Sequence, residues 1–144
     1  MDVNFEICAR TGVGPILFGM TATEVRELLG DPDWTQPHRE AYLGGLIVHY
    51  DLANLVDFIE VIQPNLFCAT FQGRNLHGVI AEEALTFVGQ FGYCEEAATA
   101  VGASHIFPSL ELSLRRRHAN EASVDAAGSH LEGVGVGRSG YFSV

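Results

Sequence analysis

Val3, Phe5 and Ile7 alternate with Asn4 and Glu6, a period of two that predicts a half-buried first strand. The period lengthens after Gly19. Thr21 and Glu24 have capping-box spacing, Met20 and Val25 stand where an apolar pair staples a helix start, and Gly30 with Pro32 stops the turn. Val25, Leu28 and Leu29 then fall on one face of a helix over about 22–29. The polar stretch Asp31 to Glu40, holding Pro32, Trp34 and Pro37, reads as a loop. Tyr42 to Tyr50 and Leu55 to Ile62 are β-rich runs joined by Asp51-Leu-Ala-Asn54, most economically an antiparallel hairpin.

The second half follows a similar plan. Leu66 to Phe71 reads as a strand and Gly73 to Gly78 as a loop. A helix over about 79–91 carries Ile80, Ala84, Phe87, Val88 and Phe91 on one face, with Glu82 and Glu83 favouring the dipole of its first turn. Tyr93 to Gly102 is a small-residue linker, and Ser104 to Phe107 with Leu110 to Arg115 flank Pro108-Ser109 as a second hairpin. After a Ser/Ala/Gly-rich loop, Asn120 to Ser129, a closing strand starts at Leu131. The expectation is one α+β domain, residues 1–144, built from tandem helix-strand-strand units at 1–64 and 65–144. Its sheet is mostly antiparallel, with helices on one face.

Composition narrows the class. At 144 residues, 47% hydrophobic and 18% charged, the chain suits a single globular core. No apolar run approaches the roughly 20 residues of a membrane span. Met1-Asp-Val-Asn-Phe-Glu6 lacks the basic start and apolar stretch of a secretory signal, which points to the cytoplasm. Net charge is −10, and the eight basic residues are all arginine. Nucleic acid is a poor partner for such a surface, whereas a basic protein would be steered toward it.

Catalytic and cofactor signatures are weak. Cys8, Cys68 and Cys94 are widely spaced in apolar settings and read as three buried thiols in a reducing compartment. His38, His49, His77, His105, His118 and His130 show no metal-ligand spacing, and His49 reads as a satisfied strand histidine. Gly12-Val-Gly14 and Gly133-Val-Gly-Val-Gly137 lack the strand-to-long-helix context of a nucleotide loop; bulges or close backbone approach explain them. Ser139 falls short of a nucleophile elbow. Arg115-Arg116-Arg117-His118 is the one basic cluster, and fits a solvated strand edge that resists edge-to-edge pairing. No metal or cofactor is expected.

Gly14-Pro-Ile-Leu-Phe-Gly-Met-Thr21, followed by Glu24-Val25, Leu28-Leu-Gly30 and Pro32, resembles the opening helix-hairpin unit of small bacterial proteins. These have the β-lactamase-inhibitor-protein-like and outer-membrane-assembly-lipoprotein-like fold. Tyr42 to Ile62, Phe107 to Leu114 and Val134 to Phe142 extend the resemblance in order. Soluble proteins of this appearance are often immunity proteins paired with toxins. The resemblance, the acidity and the missing catalytic constellation together imply a non-catalytic cytoplasmic immunity protein, a monomer or weak dimer. It would occlude the active site of a cognate toxin, one that attacks nucleic acids being the suggested class. Candidate partner-binding residues are Asp31, Asp33, Trp34 and Glu40, followed by Asp51, Asp57, Glu95 and Glu96. The alternative is a small enzyme or ligand-binding domain with a pocket between sheet and helices, using His49, Tyr50 and His105. A third is β-augmentation through an exposed terminal strand.

Overall fold

The computed structural model describes residues 3–99, 102–116 and 130–142, without the side chains of 96–99, 102 and 103. Along the chain come β1 (Asn4–Cys8), β2 (Gly12–Val13), β3 (Ile16–Leu17) and α1 (Ala22–Leu29), then β4 (Trp34–Gln36), β5 (Arg39–Tyr42), β6 (Leu46–Tyr50) and β7 (Val56–Ile62). The second part runs β8 (Cys68–Phe71), β9 (Arg74–Asn75), α2 (Ala81–Gly89), β10 (Glu95–Thr99), β11 (Gly102–Phe107), β12 (Leu112–Arg116) and β13 (Leu131–Gly137). The result is a mostly β, α+β fold.

The α1 boundaries follow from its caps. The Thr21 hydroxyl accepts from the Glu24 N–H at 3.2 Å, and the Glu24 carboxylate accepts from the Thr21 N–H at 3.0 Å. Thr21→Ala removes half of this reciprocal pair, and a urea midpoint should register a loss of about 1 kcal/mol. Val25 is fully buried while Leu28 is half exposed, so the apolar face is narrower than the sequence spacing suggests. α2 is shorter than the expected 79–91; it buries Ala81, Ala84 and Val88 and leaves Phe91 exposed beyond its end.

Strands β4 to β7 form one antiparallel meander, and β10 to β13 form another. Each helix is thus followed by four strands rather than two. The expected polar loop at 31–40 contains β4 and the tight turn to β5, where His38 adopts φ +65°. The expected linker at 93–102 contains β10. The two meanders join through their last strands, giving an eight-stranded sheet of order β10-β11-β12-β13-β7-β6-β5-β4. β13 therefore lies at the centre of the sheet, paired on both sides, and is not an exposed terminal strand. For the same reason Arg115 and Arg116 sit on an interior strand, not on an edge; Arg117, His118 and the Asn120 to Ser129 loop lie outside the described residues.

A second sheet, β3-β2-β1-β8-β9, is held by the parallel pairing of β1 with β8. Its Phe5, Ile7, Val13, Ile16, Ala69 and Phe71 join Val25, Ala84 and Val88 from the helices and one face of the large sheet in a single core. Leu46, Val48, Ile59, Val61, Leu112, Leu114, Val134 and Val136 supply that face. Cys94 is half-buried, and Cys8 and Cys68 are exposed because β1 and β8 turn their even-numbered positions outward. The expected burial of all three thiols does not hold.

Candidate functional site

Strand alternation sends every second side chain of the large sheet away from the core. In register, one row crosses all eight strands: Trp34, Ala41, Ile47, Glu60, Gly135, Ser113, Ile106 and Glu95. At about 4.8 Å per strand this row spans about 34 Å. A neighbouring row holds Gln36, Arg39, His49, Phe58 and Gly137, and the row on the other side holds Ile62, Gly133, Arg115 and Ser104. This outer face is the candidate site.

Aromatic and charged groups are layered along it. The Arg39 guanidinium lies 5.5 Å from the centroid of the Trp34 ring, a cation–π contact at one edge. His49 stands edge-on to Phe58 at 5.2 Å, and its Nε2 is 2.8 Å from the Glu60 carboxylate. That hydrogen bond outweighs burial and, with nearby Arg115 and Arg39, holds the Glu60 carboxyl below the usual range. Beyond β13 the chain folds back, and Tyr141 stacks on Phe58 with centroids 4.5 Å apart. The buried Glu111 carboxylate anchors this return by accepting from the Gly140 and Phe142 N–H groups at 3.1 and 2.8 Å.

Glycines carve the relief. A Cβ on Gly135 would lie 2.6 Å from the Phe58 ring and 2.4 Å from the Ser113 hydroxyl, so neighbouring side chains lie over bare backbone there. At Gly133 the nearest atoms are 3.5 Å or more from such a Cβ, leaving a dent. It measures about 80 Å³ and is lined by Glu60, Ser104, Ser113, Arg115, Gly133 and Gly135.

The residues singled out from sequence are spread across different surroundings. Trp34 is 39% exposed at one edge of the outer face, and Glu95 is exposed at the other. Asp31 is exposed beside β4; Asp33 is exposed too, but its carboxylate accepts from the Gly44 N–H at 2.8 Å and ties down the β5–β6 turn. Asp51 caps the β6–β7 turn, accepting from the Ala53 and Leu55 N–H groups at 2.8 and 3.1 Å. Asp57 is half-buried, and burial followed by the Asp51 charge pushes its carboxyl upward. Glu96 stands opposite His105 on the edge strand, its side chain outside the described residues.

Glu40 requires a correction. It is 3% exposed and lies on the opposite face from Trp34, where it accepts from the Tyr42 and Tyr50 hydroxyls at 3.0 Å each and from Thr35 at 3.3 Å. It also pairs with Arg26 from α1. Polarity suggested exposure, but alternation along β5 sends this carboxylate inward. His49, Tyr50 and His105 likewise do not converge: Tyr50 gives its hydroxyl to Glu40 beneath the sheet and His105 is buried, while His49 lies on the outer face.

Sequence reading passed over Arg39, Phe58, Glu60, Ser113 and Tyr141. The available signal was period two: in Gly133-Val-Gly-Val-Gly137 it places three glycines on one face and two valines on the other. Among the described residues no three ligating side chains are grouped for a metal, and no helix is long and apolar enough to cross a membrane. No protein-family model, curated protein or solved structure matches the chain.

Proposed function

We propose that this chain is a non-catalytic binding protein that captures a protein partner on the outer face of its eight-stranded sheet. The partner we favour is a cognate bacterial toxin with a basic active site, occluded by the bound sheet, so that the chain serves as an immunity protein. In this reading two tandem units, 1–64 and 65–144, each contribute a helix and one meander. The protein acts in the cytoplasm as a monomer or weak dimer. One observation carries the proposal: a single row of side chains runs edge to edge across eight strands, with an exposed tryptophan at one end. Its half-exposed apolar and aromatic groups give contact area, and the net charge of −10 gives long-range attraction for a basic protein.

Tagged protein passed over an extract of its own host, at low and high salt, tests this. A single polypeptide retained less well as salt rises is the expected result. Trp34→Ala should weaken its retention about 30-fold, the effect of losing an aromatic anchor worth about 2 kcal/mol. Asp31→Asn should change the on-rate and salt dependence more than the off-rate. Retention unchanged by Trp34→Ala places the contact elsewhere, and no retained polypeptide at either salt rejects the partner reading.

A further inference from the structure

The dent at Gly133 is more than a gap in the sheet. Its floor is bare backbone at Gly133, while at Gly135 the Ser113 hydroxyl and the Phe58 ring close over the strand. Across that floor stand groups of opposite character, Arg115 on β12 and Glu60 on β7. The Arg115 Nη2 is engaged with Glu132 at 3.0 Å, but its Nε–H is buried without a hydrogen-bond acceptor. A donor left unpaired is costly, so an acceptor that reaches the guanidinium is rewarded. On the other side Glu60 keeps its charge at neutral pH and needs donors beyond His49. Ser104 and Ser113 add hydroxyls that serve either role.

The occupant follows from this arrangement. A carboxylate seated there meets the Glu60 charge, and an ammonium or guanidinium meets Arg115. A neutral group with an acceptor at one end and donors at the other satisfies both walls without a like-charge contact. At about 80 Å³ the dent exceeds the space of one water and suits the end of one small side chain. We infer that the dent between Arg115 and Glu60 is a socket for a carboxamide, the end group of an asparagine or glutamine on the docked partner. Its carbonyl oxygen accepts from the Arg115 guanidinium and its NH₂ donates to Glu60. The source of the carboxamide rests on the docking reading above; the chemistry of the socket does not.

The test uses the full chain and three small probes: acetamide, sodium acetate and guanidinium chloride at matched ionic strength. Resonances of the Gly133 and Gly135 amides and the Arg115 Nε–H report occupancy. Acetamide should give saturable shifts at millimolar concentration, at least threefold tighter than either ion. Gly133→Ala fills the dent, its Cβ making only ordinary contacts, and should weaken acetamide at least tenfold. Arg115→Lys, read at the glycine amides, should do the same. Equal response to all three probes, no saturable response, or full binding in Gly133→Ala overturns the socket. If the socket fails while Trp34→Ala still releases a captured partner, the docking reading stands without it. If acetamide binds selectively and no partner is retained, the docking reading falls instead.

Discussion

Glu40→Ala is expected to lower stability by about 2–6 kcal/mol, because two buried tyrosine hydroxyls lose their acceptor at about 1–3 kcal/mol each. The carboxylate closes a network that joins β5 to β6 through Tyr42 and Tyr50 and to α1 through Arg26. Removing it also leaves space at a site with almost no solvent access. Glu40→Gln keeps one oxygen for the tyrosines and should cost about half as much. Urea midpoints at constant slope measure both, and a loss below about 0.5 kcal/mol for the alanine variant refutes the network's role.

The same network predicts a pH dependence. Burial alone would push the Glu40 carboxyl up, but hydrogen bonds from Arg26, Tyr42 and Tyr50 together outweigh it and hold it below its usual range. A depressed carboxyl contributes stability that is complete above the unfolded value and disappears as pH falls through the folded one. Wild type and Glu40→Gln should therefore converge in stability as acid takes the pH below the ordinary glutamate value and through the depressed one. Tyr42 and Tyr50 are pushed the opposite way, first by burial and then by Glu40. Their contribution is complete below the ordinary tyrosine value and is lost only in stronger base.

Gly12→Ala should cost about 3 kcal/mol for a different reason. A Cβ at Gly12 would lie 2.0 Å from the Ile16 carbonyl oxygen, and backbone cannot swing aside as a side chain can. Relief requires β2 and β3 to separate, which exposes Val13 and Ile16, both fully buried. Gly89→Ala is the control. It meets nothing within 4 Å and lies in α2, where alanine is the better helix former, so stability should rise by about 0.5–1 kcal/mol. If both variants shift the melting midpoint alike, crowding at Gly12 is not the cause.

Local chemistry made part of this architecture readable in advance. Thr21, Glu24 and Gly30 set a helix by contacts within one or two turns, and the structure keeps that helix at 22–29. The β6–β7 and β11–β12 hairpins were equally local. β4 and β10 were missed because both are edge strands without apolar alternation, β4 only three residues long with Trp34 as its one large apolar side chain and β10 made of acidic and small residues; each is formed by a neighbour's hydrogen bonds. The candidate site was less legible. Trp34 and Glu95 fall on one row only after β7 pairs with β13, a contact between positions about 75 residues apart. Glu40 looked like a surface acid because its partners, Arg26 and Tyr50, are invisible until α1 and β6 pack.

The central place of β13 has a temporal meaning. During vectorial synthesis at about 5–20 residues per second, β7 emerges several seconds before the strand that will cover its open edge. Until then Val56–Ile62 presents unpaired backbone beside apolar side chains, the form of edge most prone to unwanted pairing. The transverse row cannot exist in a partly made chain, because its fifth position, Gly135, arrives with β13. The row is therefore completed in one late step, when β13 slots between β12 and β7.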